Sequence, residues 1–385
     1  MKGVCLKYTQ KNYGSKLQAL ATAITFEELG IDYQILRYNK KTLNFVLRTL
    51  PRFMNIVFLN DRYDQFQQYI EFKRHPEVLK QVEVRNKAFD NFDNAFNDKL
   101  SKNFKSYNHL RKECGSLYDG FITCSDQLWS PSALGSGFYN LMFAPENALK
   151  VSWASSFGVS KIPWYQLSRT RRFLNRIQFI SMRENRGAEI VKELTDRKVP
   201  VLMDPVFVFS KEKWEEIIPY EKPNYEDYIF CYFLGSNPKH RAAARELAEK
   251  TGLKIVTLRH LDRYNANDEK FGDYAPYDVS PESFLNLLRG AKYVCTDSFH
   301  GAAFSIINEK KFVVFDRYKN SSQNSKNSRI ESVCQNLGLS DRRFNENSDI
   351  FETIEKEIDY KKVKDKLLIY SNNTNEYLKN ALGIK

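Results

Sequence analysis

The stretch Tyr293-Val294-Cys295-Thr296-Asp297-Ser298-Phe299-His300-Gly301-Ala302-Ala303-Phe304-Ser305-Ile306-Ile307 decides how this chain folds. Its first residues, preceded by Ala291 and Lys292, are apolar and β-branched or aromatic, which is the pattern of a short buried strand. The residues after Gly301 suit a helix packed back on that strand. Asp297 and Ser298, between them, are good N-cap residues, so unpaired backbone N–H groups are expected to gather around His300. A helix N-terminus at the carboxyl end of a strand favours anions, and open α/β sheets bind ligands there. His300 adds a side chain able to transfer a proton. The plainer alternative is a capping turn whose histidine packs against the next loop.

The same strand–helix unit recurs outward from this point. The pattern predicts strands at Gly3 to Tyr8, Tyr33 to Tyr38, Gly120 to Cys124, Lys150 to Ala154, Phe179 to Met182 and Val199 to Met203. Helices are expected at Ser15 to Leu29, Trp164 to Arg176 and Asn185 to Leu194. A Lys, Phe, Tyr and Asn-rich stretch at about 40–113 interrupts the alternation and reads as a helical insertion. The second half repeats the logic, with strands at Tyr228 to Leu234, Leu253 to Leu258, Ala291 to Cys295 and Phe312 to Phe315. Such repetition implies parallel sheets with covered faces, one per half. Pro205, Pro219 and Pro223 mark the join. The expected division is therefore 1–205, 206–345 and a charged helical tail over 346–385, with a ligand cleft between the two α/β halves.

A chain of 385 residues with 42% hydrophobic content is long enough for two such cores. No charged n-region followed by an apolar run suggests a secretory signal, and no apolar stretch is long enough to span a bilayer. The cysteines, Cys5, Cys114, Cys124, Cys231, Cys295 and Cys334, show no paired spacing. Neither a zinc site nor a disulfide frame is therefore expected, and reduced thiols fit a cytoplasmic location. The net charge of +12 favours anionic partners. The basic residues are dispersed and carry no nucleic-acid-binding signature, so nucleic acid is not expected.

Four further strand ends carry chemistry. Asn12 and Gly14 lie in the turn into the first helix, where backbone can approach a ligand and Ser15 is expected to cap. Asp126 and Gln127 can hydrogen-bond sugar hydroxyls, beside Trp129 as an amphipathic platform or a core residue. Arg183 can clamp a carboxylate or phosphate in a bidentate way, or pair with an acid. Arg317, Lys319 and Arg329 follow the strand after the histidine helix, as further cations for the same anion or as a solvated loop.

These blocks resemble the polysaccharide pyruvyl transferases. The resemblance rests on Asn12-Tyr13-Gly14 with Leu17-Gln18-Ala19, Ser125-Asp126-Gln127-Leu128-Trp129 and Ser155-Ser156-Phe157-Gly158. It continues through Ser181-Met182-Arg183-Glu184, Asp204-Pro205-Val206 and Thr296-Asp297-Ser298-Phe299-His300-Gly301. It implies a GT-B-like fold, two Rossmann-like domains facing across a cleft. It also implies transfer of the pyruvyl group of phosphoenolpyruvate onto two hydroxyls of a sugar in a surface polysaccharide or its lipid-linked precursor. His300 would then be the general acid. Arg183, Ser298, Arg317, Lys319 and Arg329 would hold the donor, and Asn12, Gly14, Asp126, Gln127 and Trp129 the acceptor. No metal or organic cofactor is required. Some members carry arginine where this chain has Ser298, which shifts the phosphate's cation to Arg183 and Arg317. Asp126 and Asp297 are both candidates for the base.

Residues 40–60 interleave Lys40, Lys41, Arg48 and Arg52 with apolar side chains, as a stretch lying on an anionic membrane surface would, or as a helix pair packing on its own domain. Two rival functions stand beside the transferase: a nucleotide-sugar-dependent glycosyltransferase of the same fold, and a non-catalytic polyanion-binding protein.

Overall fold

Lys2–Cys5, the first strand (β1), pairs in parallel with Tyr33–Tyr38 (β2) on one side and Gly120–Cys124 (β4) on the other. The computed structural model describes residues 1–40, 56–132, 136–317, 327–345 and 348–384. Leu100–Phe104 (β3), Leu149–Ser155 (β5) and Phe179–Met182 (β6) complete a six-stranded parallel sheet of order β3-β2-β1-β4-β5-β6. The second sheet joins Tyr228–Tyr232 (β7), Lys254–Leu258 (β8), Tyr293–Thr296 (β9) and Lys311–Val314 (β10) in the order β10-β9-β7-β8, again all parallel. Each sheet reverses direction at an inner pair of strands, β1/β4 in the first and β7/β9 in the second. A crevice opens at such a reversal, beyond the carboxyl ends of the strands.

Two expectations from the sequence are corrected. Residues 40–113 are not helical throughout. Helices run over Ile56–Arg74 (α2) and Pro76–Asp93 (α3), after which β3 adds the edge strand of the first sheet and Tyr107–Leu117 (α4) leads to β4. Lys102 and Asn103 of β3 face water, as edge positions permit, and this breaks the apolar alternation that marks a strand. Val199 to Met203 forms only a bridge, Met182 to Val201. Pro200 has no N–H to give, so the ladder cannot extend through it.

The helix Tyr13–Glu28 (α1) carries the load between the halves. It is buried from Tyr13 through Ala19 in one run, because it lies against its own sheet and against the second half at once. Tyr13 stacks on Phe284 of the helix Pro281–Gly290 (α9), with ring centroids 4.9 Å apart, and meets Tyr232 and Phe89 on other sides. One hydrophobic core runs through this contact, from Phe26 and Trp153 to Trp214, Phe299 and Phe304. The last helix, Tyr360–Leu382 (α13), returns to the first sheet, where Tyr377 donates to the Ser152 carbonyl at 2.8 Å and Leu378 is fully buried.

Replacing Leu378 with alanine is expected to destabilise the protein by about 2–5 kcal/mol, the cost of a core cavity. Urea unfolding reads this as a lowered midpoint.

Candidate functional site

The turn after β9 is built by three side chains that satisfy backbone. Thr296 Oγ1 accepts the Ser298 N–H at 3.0 Å and donates to the Tyr232 carbonyl at 2.7 Å. Ser298 caps the helix Phe299–Ile307 (α10) by accepting the Gly301 N–H, which leaves the first-turn amides of Phe299 and His300 without an intrahelical partner. Gly301 is required by close packing, since a Cβ there would lie 2.4 Å from Thr296 Oγ1. Asp297 is not at the ligand's disposal. Its carboxylate is fully buried and accepts the N–H groups of Leu234 at 2.7 Å and Gly235 at 2.9 Å, lacing the β7 exit to the β9 exit. Burial works to raise its pKa, but Arg317, His240 and the Leu234 amide outweigh that and hold it down to about 2.

Against this turn stands the opposing half. The N-terminus of α1 abuts His300 so closely that a Cβ on Gly14 would sit 2.1 Å from Nδ1. Asn12, rather than the expected Ser15, caps α1 by accepting the Ser15 N–H at 3.1 Å. Ser15 is instead turned to Asp126, donating to its carboxylate at 3.3 Å. Ser125 and Asp126 both adopt left-handed backbone, φ 42° and 54°, at the end of β4. Consecutive non-glycine residues in that region are strained, and such strain persists where surrounding contacts over-determine it.

Beneath the surface lies a charge chain. Arg183, at the end of β6, donates to Asp204 at 2.5 Å, with neither side chain exposed. Ser125 Oγ donates to the same carboxylate oxygen at 2.9 Å, and His300 Nε2 stands 3.6 Å from it, buried and without a hydrogen bond. Burial would raise the Asp204 pKa, yet His300 and Arg183 draw it down to about 2. Arg183 also reaches toward Asp126 at 3.9 Å and covers the Phe299 ring at 4.8 Å. The Asp126 carboxyl is held well below the usual range: burial opposes ionisation, and Lys7, Arg183 and His300 overcome it.

The cavity above this chain, about 210 Å³, is lined from both halves, with Lys7, Asn12, Asp126 and Gln127 facing His260, Ser298, His300, Arg317 and Arg329. The lining thus comes from the carboxyl ends of β1, β4, β7, β8, β9 and β10. Arg329, in the helix Ser328–Leu337 (α11), is buried and donates to the Gln127 amide oxygen through both terminal nitrogens, at 3.0 and 2.6 Å. It forms no ion pair among the described residues, and burial together with Arg183 lowers its pKa to about 10. Arg317 donates to the Asp297 carbonyl at 2.8 Å.

Two expected positions fall elsewhere. Trp129 is no platform for a sugar: it is fully buried against Phe157 and Phe173, and its indole N–H donates to the Tyr139 carbonyl at 3.1 Å. Arg183 lies behind the cavity, between two carboxylates. Lys319 is outside the described residues, as are Lys41, Arg48 and Arg52 of the stretch read as a membrane surface. Lys7, Gln10 and His260 line the cavity although the sequence reading assigned them no role, and Ser15 lines it where only a helix cap was expected. The strand-end rule that found His300 also points to His260, two residues past β8, but no glycine or cap marks that turn. No group of three or more metal-ligating side chains occurs among the described residues, and no described helix is long and apolar enough to cross a membrane.

A family model of polysaccharide pyruvyl transferases matches residues 12–320, from the α1 cap past the cavity's Arg317. The chain belongs to the polysaccharide pyruvyl transferase family. Among solved structures, the trehalose-6-phosphate synthase OtsA aligns at 7% identity over 99% of this chain and 98% of its own, with a TM-score of 0.50. The UDP-GlcNAc 2-epimerase from Neisseria meningitidis, bound to UDP-GlcNAc, aligns at 12% identity over 99% of both chains, with a TM-score of 0.49. No curated protein matches the chain. The fold of this family member is of the GT-B type, with two parallel α/β sheets.

The buried charge chain gives a stability prediction. Asp204→Asn leaves Arg183 buried beside a neutral amide and is expected to cost about 3–5 kcal/mol in urea unfolding. The depressed Asp204 pKa means its contribution, about 2 kcal/mol, is complete above pH ~4 and lost as pH falls through about 2. Acid unfolding of the wild type should therefore steepen in that window, and the variant should lack that component.

Proposed function

We propose that the cavity binds phosphoenolpyruvate and a saccharide diol and joins them as a cyclic ketal, with release of phosphate. The observation that carries this reading is the pairing of His300, at the head of α10, with Arg329, a buried guanidinium that has no carboxylate partner among the described residues. A polyanionic donor needs cations that the fold has not already neutralised, together with unpaired N–H groups. Arg329 is such a cation, Lys7 and Arg317 add positive charge although each already meets a carboxylate, Asp126 and Asp297, at 3.4 Å, and the head of α10 supplies the N–H groups. Asn12, Gln127 and Asp126 on the facing wall offer polar groups to sugar hydroxyls.

In this reading His300 delivers a proton from Nδ1 to C3 of the donor while one hydroxyl oxygen bonds to C2 and loses its proton to a base. The second hydroxyl then takes the place of the phosphate: the C2–O–phosphate bond breaks, and the hydroxyl proton returns to His300. Nε2 faces Asp204, whereas Nδ1 is kept open by the missing side chain at Gly14. The reaction as written uses no metal or organic cofactor. The acceptor is a sugar of a surface polysaccharide or of its lipid-linked precursor.

Phosphate release from phosphoenolpyruvate, measured with a panel of pyranoside acceptors, tests this. Acceptor-dependent release is expected, and His300→Ala should abolish it while retaining the thermal shift given by the donor. Release with no acceptor in the panel, and no thermal shift with phosphoenolpyruvate, would refute the assignment. Gly14→Ala should reduce release about 100-fold, because a displacement of the order of 1 Å at a catalytic group has that effect.

A further inference from the structure

We propose that His260 is the base that takes the proton from the attacking acceptor hydroxyl. The inference rests on the ketal-forming reading above and names the group that reading leaves open. The described titratable groups lining the cavity are Lys7, Asp126, His260, His300, Arg317 and Arg329. Lysine and the two arginines are cations, and His300 is the proton donor of the same step. Asp126 already accepts from Ser15, from Lys7 and from the Gln127 N–H at 2.7 Å. With Ser15, Lys7 and the Gln127 amide already on its oxygens, that carboxylate is committed to holding the wall of the cavity. Asp297 lies behind the wall with both oxygens occupied by backbone amides.

His260 differs from all of these. It is half-buried at the carboxyl end of β8, lines the cavity opposite α1, and its ring makes no hydrogen bond among the described residues. The groups acting on it are Asp262, Arg263, Arg317 and Asp297. Burial is the largest influence, Arg317 and Arg263 add to it, and Asp262 and Asp297 oppose; together they bring its pKa down to about 4. The ring is therefore uncharged at neutral pH and able to accept. A bound anionic donor acts in the opposite sense to burial and increases the ring's affinity for a proton at the moment it is needed.

The segment that bears His260 is fixed from the opposite half. Arg85 of α3 donates to Asp262 at 2.7 Å, His75 stacks on Tyr264 with ring centroids 3.7 Å apart, and Gln68 accepts the Tyr264 N–H at 3.1 Å. The helices α2 and α3 thus hold the turn after β8 at three points.

The proton balance closes. In the first step His300 gives a proton to C3 and His260 receives one from the first hydroxyl. In the second, the second hydroxyl reprotonates His300, and the departing phosphate takes its proton from His260. Both histidines end as they began.

The test uses the full chain, phosphoenolpyruvate and an acceptor that supports phosphate release by the wild type. His260→Gln is expected to lower kcat by about 10²–10⁴-fold with the donor-induced thermal shift intact. His260→Ala is expected to regain part of its turnover on addition of imidazole, a response that a purely structural role does not give. Wild-type turnover in His260→Gln overturns the proposal. So does a loss explained by an abolished donor shift with no recovery in imidazole, which makes His260 a donor-binding residue. Failure of the wild type itself to release phosphate with any acceptor is a separate result, and it refutes the ketal-forming reading rather than the choice of base alone.

Discussion

A guanidinium and a carboxylate that share no surface with water hold the cleft of this protein in register. Arg183 and Asp204 meet at 2.5 Å, with Ser125 on the same oxygen and His300 just beyond hydrogen-bond range. Removing two charges from water costs several kcal/mol per ion, and mutual attraction offsets that only when the remaining valences are filled. A pair of this kind is therefore better understood as a positional device than as a source of stability. It ties the ends of β4 and β6 to the start of the connection into the second half, and it brings a negative charge to the one face of His300 that the cavity does not see.

The second constraint is topological. Both sheets are parallel and each reverses once, so each generates a crevice at the carboxyl ends of its inner strands. Closing the two crevices on each other requires a rigid element that belongs to both, and α1 is that element. Its first turn supplies Asn12 and Ser15 to the cleft and sets Gly14 against His300, while Tyr13 enters an aromatic stack with the second half. The absent side chain at Gly14 sets the distance between the halves at the place where His300 stands. Packing between the halves and the shape of the cavity are thus decided by the same turn.

Much of this was legible from periodicity. Strands such as Tyr33–Tyr38, Gly120–Cys124 and Phe179–Met182 have the bounds that their apolar, β-branched runs predict, because buried parallel strands leave a continuous hydrophobic trace. The edge strand β3 left no such trace, since two of its five residues face water. Strand ends likewise gave His300, Asp126, Gln127, Arg317 and Arg329 as residues near one cleft. Depth is what a single sequence does not carry. Trp129 and Arg183 occupy strand-end positions equivalent to those of lining residues, yet one packs between phenylalanines and the other lies beneath the cavity floor. Strand order is equally silent, so the meeting of the two reversals, and with it the place of His260, becomes visible only once the sheets are assembled.

Ser298 leaves the head of α10 without a cation of its own. An arginine at that position would place its cation at the head of α10. Here the cations arrive from β10 and α11 instead, and they repel one another: Arg183 and Arg317 both lower the proton affinity of Arg329. Asp126 is the only carboxylate among the described lining residues and is already committed to Lys7 and Arg183. The described lining of the cavity thus carries more cations than carboxylates, a balance that favours a bound anion. In the proposed reaction that same anion offsets the positive charge at Arg317, which removes part of what depresses His260. Donor binding and readiness of the base are then a single electrostatic event, with the serine at the helix head leaving room for it.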